Sequence, residues 1–92
     1  MTIAVVTGGG HGIGRALCRR LAADGVKVAV VDLDEQAARK VAAEVDGVAH
    51  AIDVGDEAAM TELVEAIERD IGPIDLFISN AGVGFGDGAA GA

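Results

Sequence analysis

The residues with the most chemical content come early. Thr7-Gly8-Gly9-Gly10-His11-Gly12-Ile13-Gly14 sets five glycines in eight positions, after the apolar run Ile3-Ala-Val-Val6. Backbone without Cβ atoms can approach a pyrophosphate closely. The N–H groups and positive dipole end of a following helix then hold the anion. Asp32 stands eighteen residues after Gly14, at the end of the next apolar run. That is close to the ~20 residues expected of an acid that accepts from a ribose hydroxyl. A nucleotide-triphosphate loop is the competing reading, since Gly9 and Gly14 have its four-residue gap. It fails because Arg15-Ala16 occupy the positions where a phosphate-binding lysine and a Mg²⁺-binding hydroxyl are required.

Such a turn works only if strands and helices position it, and the pattern supplies them. Strand-length apolar runs fall at Ile3–Val6, Val26–Val31, Val48–Ile52 and Ile74–Ile78. Continuous Val/Ile runs suit strands covered on both faces, as in a parallel sheet. Three helical patterns separate them. The first carries Ile13, Leu17 and Leu21 at steps of four and ends toward Gly25; the second follows Asp34, a candidate N-cap, with Ala37, Val41 and Val45, and stops at Gly47. The third begins near Asp56 and lines up Met60, Leu63, Val64, Ile67 and Ile71 before Gly72-Pro73. Its acidic face (Glu57, Glu62, Glu65, Glu68) reads as a solvated one. The string β-α-β-α-β-α-β predicts an α/β parallel sheet in the order 3-2-1-4, with two helices on one face and the third on part of the other.

Composition narrows the function classes. The 92 residues carry 7 Lys+Arg against 15 Asp+Glu, a net charge of −8, with 2 aromatic residues. An acidic chain with no basic run is a poor nucleic-acid binder. Cys18 is the single cysteine, and His11 and His50 lie too far apart for metal-ligand spacing, so neither a disulfide nor a metal site is expected. No apolar run nears the ~20 residues of a membrane span. The N-terminus reads as a strand rather than a signal peptide, so the expected location is cytoplasmic. Cys18, His11 and His50 are given no catalytic role.

Thr-Gly-x-x-x-Gly-Ile-Gly, read together with later landmarks, resembles the short-chain dehydrogenase/reductase family. Asp53-Val54 after the third strand resembles its adenine-contacting Asp-Val/Leu pair. Ser79-Asn80-Ala81-Gly82 resembles its Asn-Asn-Ala-Gly motif, with Ser79 in place of the first Asn. The resemblance covers residues 1 to about 82 and implies a Rossmann-like fold and a dinucleotide cofactor. It assigns Gly8, Gly12, Ile13 and Gly14 to the pyrophosphate turn, Asp32 to the adenosine ribose, and Asp53 and Val54 to adenine, with His11 beside the phosphate site and Leu33 after the acid also counted as cofactor-binding positions. Asn80, Ala81 and Gly82 line the path toward nicotinamide. Read alone, Asp32 also fits a strand-end residue and Asp53 a helix cap, while a residue such as Asn80 more often stabilises a turn than touches a ligand. His11 and Leu33 occupy places where NADP-preferring relatives often carry Arg or Lys, and Asp32 would repel a 2′-phosphate, so NAD is expected over NADP.

The family's Tyr acid/base has no counterpart here, because the chain contains no Tyr. No catalytic residue is therefore assigned. Two functional readings follow. One is the NAD(H)-binding N-terminal portion of an oxidoreductase that transfers hydride between nicotinamide and an alcohol or carbonyl substrate, inactive alone. The other is a non-catalytic, stand-alone dinucleotide-binding or interaction module. Residues 1–82 are expected to form a partial NAD-binding domain and 83–92 a Gly/Ala-rich mobile end. An uncovered fourth strand (Ile74, Leu76, Phe77, Ile78), with Ile3 and Val5 short of helical cover, is expected to drive self-association.

Overall fold

A computed structural model describes residues 1–80. The elements are β1 (Ile3–Thr7), α1 (Gly12–Ala23), β2 (Lys27–Asp32), α2 (Glu35–Val45), β3 (Val48–Ala51), α3 (Glu57–Asp70) and β4 (Leu76–Ser79). The four strands are parallel in the order β3-β2-β1-β4, the Rossmann-like topology that the pattern predicts. Thr7 pairs with Val31 on one side and Ser79 on the other, and Asp32 pairs with Ala51. The strand ends are therefore level, and the loops that follow them share one edge of the sheet.

Alternation along the strands divides the core. Val6, Val28 and Val30 point to one face and pack with Cys18 of α1 and Ala38, Val41 and Ala42 of α2. Ile3, Val5, Ala29 and Val31 point to the other and pack with Leu63 and Ile67 of α3. All five residues of β1 are buried. The expectation that Ile3 and Val5 would lack cover is therefore wrong. The Leu63 and Ile67 side chains, with Met60, Ile71 and Ile74 around them, bury both, each such side chain contributing about 1.5–3 kcal/mol.

Two further expectations need correction. The buried stripe of α1 runs through Gly14 and Cys18, with Leu17 and Leu21 half-buried, while Ile13 is 67% exposed. The cause is the close approach of Gly14 to the end of β1, which turns position 13 outward. The fourth strand begins at Leu76 rather than Ile74, because Asp75 takes over the pairing at that point. Its Oδ2 accepts from the Ile3 N–H at 2.8 Å, and its own N–H donates to the Ile3 carbonyl at 2.8 Å. Ile74 and Ile78 are half-buried, whereas Leu76 and Phe77 are 43% and 46% exposed along the β4 edge.

Candidate functional site

The glycine turn is fixed before any ligand enters. Gly8 and Gly12 have φ of 68° and 51°, the left-handed region where a side chain is strained. A Cβ on Gly14 would overlap the Gly8 carbonyl oxygen and meet Asn80 Nδ2 at 2.8 Å. α1 can start this close to β1 only with glycine there. The Asn80 amide, in turn, donates from its backbone N–H to Thr7 Oγ1 at 2.9 Å and from Nδ2 to the Gly8 carbonyl at 3.4 Å. The Thr7 hydroxyl donates to the Ile78 carbonyl at 3.4 Å, so this buried side chain stitches β4 to the start of the turn.

On the other side the turn is tied to β2. The Gly9 N–H donates to the Val31 carbonyl at 3.1 Å, and the Gly10 N–H donates to Asp32 Oδ2 at 3.0 Å. Asp32 Oδ1 accepts from the Asp34 N–H at 3.0 Å. The carboxylate is thus oriented by two backbone donors, one from the turn and one from the loop into α2. Each oxygen keeps acceptor capacity for a hydroxyl.

The helix that follows the turn differs from the other two. His11 occupies its N-cap position in extended backbone and makes no side-chain cap, and no acid lies in the first turn. At α2, Asp34 Oδ1 accepts from the Ala37 N–H at 3.1 Å, and at α3, Asp56 Oδ1 accepts from the Ala59 N–H at 3.1 Å. Glu35 and Glu57 add a negative charge in those first turns. The Ala37 N–H holds the Asp34 carboxyl below its usual range, with a lesser contribution from His11, whose Nε2 lies 3.2 Å from Asp34 Oδ2. Among the described residues, α1 alone presents an N-terminus that its own side chains leave open. Its glycines put no Cβ in front of it, and the residues present suit an anionic group.

The remaining candidates lie along the same sheet edge. The Ile52 N–H donates to the Asp32 carbonyl at 3.3 Å, which carries the chain from β3 past the end of β2. Asp53 is exposed there, and its Oδ1 accepts from the Gly55 N–H at 2.8 Å. The cap of α3 is Asp56 rather than Asp53. Leu33 is 73% and Val54 37% exposed, two apolar side chains beside Asp32 and Asp53. Ala81 and Gly82 lie outside the described residues, as does the 83–92 end.

Thr7 and Gly10 stand in the quoted turn and Asp34 is read as a helix cap, but their contacts to Asn80 and to the Asp32 carboxylate are not expected from the sequence. A hydroxyl in place of Val at the last position of β1 is the one signal that pointed to the first. Cys18 is buried, and burial pushes its thiol up to about 11, in keeping with packing rather than reactivity. Among the described residues no helix is long and apolar enough to cross a membrane.

Residues 2–91 match the short chain dehydrogenase family model. The chain belongs to the short-chain dehydrogenase family. It is 40% identical over 86 residues to the 2,3-dihydro-2,3-dihydroxybenzoate dehydrogenase of Bacillus subtilis, covering 88% of this chain and 33% of that protein. It is 39% identical over 88 residues to the L-2,3-butanediol dehydrogenase of Corynebacterium glutamicum, covering 88% and 34%. The chain thus spans about a third of the length of these curated relatives. Among solved structures, the 3-ketoacyl-(acyl-carrier-protein) reductase from Brucella melitensis complexed with NADH superposes with a TM-score of 0.85. It is 38% identical, over 90% of this chain and 35% of that one.

Proposed function

We propose that this chain binds a nicotinamide dinucleotide, NAD(H) in preference to NADP(H), as the cofactor-binding portion of an oxidoreductase. When bound, the nicotinamide ring exchanges a hydride with an alcohol or carbonyl carbon. What supports the reading above all is the uncapped N-terminus of α1 behind a glycine turn whose Gly10 N–H is fastened to Asp32. The family match and the likeness to an NADH-complexed reductase point the same way.

In this reading Gly8, His11, Gly12, Ile13 and Gly14 receive the pyrophosphate. Asp32 accepts from the adenosine ribose hydroxyls, with Leu33 against the sugar. Asp53 and Val54 receive the adenine, and Asn80, Ala81 and Gly82 lead toward the nicotinamide. The 92 residues contain no Tyr, so the family's acid/base is not among them, and no alcohol oxidation by this chain alone is expected. The exposed Leu76 and Phe77 on the β4 edge favour self-association, which Phe77→Lys should abolish in sedimentation velocity.

Titration with NADH, followed by its own fluorescence, tests the central claim. Saturable binding that is tighter for NADH than for NADPH, and lost in Gly14→Ala, supports it. Absence of binding at millimolar NADH, or tighter NADPH binding, overturns it.

A further inference from the structure

β3 is the edge of the sheet opposite β4, and between it and the last two turns of α3 lies a cavity of about 190 Å³. Val48, Ala66, Ile67 and Ile71 supply its apolar lining, and His50 and Asp70 its polar lining. His50 pairs with Val31, and Val31 and Val48 pack on the α3 face, so strand alternation sends the imidazole to that face as well. There it is half-buried, and among the described residues no hydrogen bond holds it. Burial lowers the imidazole below its ordinary range, so the ring is neutral at pH 7 and one nitrogen is free to accept. Asp70 Oδ1 accepts from Arg69 Nε at 3.1 Å, and no partner is seen for Oδ2 among the described residues. None of the six residues is assigned above to the dinucleotide.

We propose that this cavity binds a small organic cation: a single aromatic ring carrying a primary ammonium on a short arm. Size sets the first part. An aliphatic cavity of about 150 Å³ takes up benzene, so this one holds a ring and a carbon or two more. Charge sets the second. The imidazole and the carboxylate both offer acceptors, and the C-terminus of α3, where Asp70 stands, adds the negative end of the helix dipole. An ammonium group satisfies all three at once. An anion would be opposed by the carboxylate and the dipole, and an uncharged ring would leave the acceptors unused. Arg69 does not close the site, because its pair with Asp70 is 70% and 66% exposed and is weak in water.

The test is a titration of the full 92-residue chain with benzylammonium chloride, followed by amide chemical shifts. Saturable shifts at His50, Ala66, Asp70 and Ile71 are expected, with a dissociation constant in the millimolar range for so few atoms. Benzyl alcohol keeps the ring without the charge, and should bind about fivefold more weakly. Ala66→Leu fills the cavity from a half-buried helical position that leucine suits, and should abolish the shifts while the melting midpoint is kept. Asp70→Asn and His50→Leu each remove one acceptor and leave the apolar lining in place. They should weaken binding by about threefold and about fivefold. Equal affinity for benzyl alcohol, unchanged affinity in either acceptor variant, shifts that survive Ala66→Leu, or no saturable shift at tens of millimolar overturns the proposal. NADH binding, read on the same samples, decides the dinucleotide reading separately.

Discussion

The N-terminus of α1 and those of α2 and α3 meet the same physical problem and resolve it in opposite ways. Each helix begins with N–H groups that have no partner inside it, and a positive dipole end. At α2 and α3 an aspartate closes the end, and a glutamate in the first turn adds a compensating charge. At α1 the cap position holds His11, which caps nothing, and glycines surround it. Two ends are closed by side chains and one is left open. The cost of the open end is met by the ties around it: Gly9 to Val31, Gly10 to Asp32, and Asn80 to Thr7 and Gly8.

The hardest way to break this contrast is Gly14→Ala. Its Cβ would run into the Gly8 backbone, which cannot give way without moving the end of β1. We expect a loss of about 3 kcal/mol in chemical denaturation, typical of severe overpacking, and no detectable NADH binding. Gly12→Ala separates the two effects. There is open space around its Cβ, so the penalty is the left-handed φ alone, about 1–2 kcal/mol. The new methyl group stands before the helix end, so NADH affinity should fall by much more than the thermal midpoint suggests.

The opposite manipulation acts at the closed ends. Asp56→Ala removes the cap of α3 and should cost about 1 kcal/mol in denaturant titration with NADH affinity unaltered. His11→Ser would give α1 the cap it lacks, since the backbone there is already extended as capping requires. The chain should gain about 0.5 kcal/mol and bind NADH less tightly. Stability lost on that change would mean that the end is not open.

The smallest effect is a titration. The Asp34 carboxyl is held below its usual range, so it is charged and stabilising at neutral pH, and that contribution disappears as acid protonates it. Burial lowers His50, whose folded form resists the proton that the unfolded chain accepts, and this acts in the same direction. Melting midpoints should therefore fall on acidification from neutral pH, and the fall should be shallower in Asp34→Asn.

Topology was readable from the sequence because period and punctuation agree along the chain. Val/Ile runs bury both faces, Asp34 and Asp56 announce two helices, and Gly25 takes the φ of 84° that its place after α1 requires. The errors have a common origin in contacts between distant segments. Periodicity put Ile13 on the buried face of α1, but the rotation of that helix is set by Gly14 against Gly8 and Asn80, some seventy residues apart in sequence. The start of β4 is moved by Asp75 reaching to Ile3, and nothing near Asp75 signals it. At the site, the glycines and Asp32 were legible as types at a spacing. That Gly10 and Asp34 both orient the Asp32 carboxylate could be seen only once β1 and β2 were side by side.

The position of β1 has a consequence for how the chain assembles. It is the first strand of the described residues and is fully enclosed, yet the neighbour on one of its sides, β4, is the last strand of the described residues. The Ile3–Asp75 pair closes a loop of 72 residues, against about 24 for the register between Ile3 and Lys27. Local β1-α1-β2 pairing should therefore precede docking of β4, whose closure entropy is repaid last. During synthesis on the ribosome, the most apolar strand waits with one bare edge until Ser79 has emerged. The β4 amides should likewise be the first of the sheet to exchange their hydrogens in deuterated solvent.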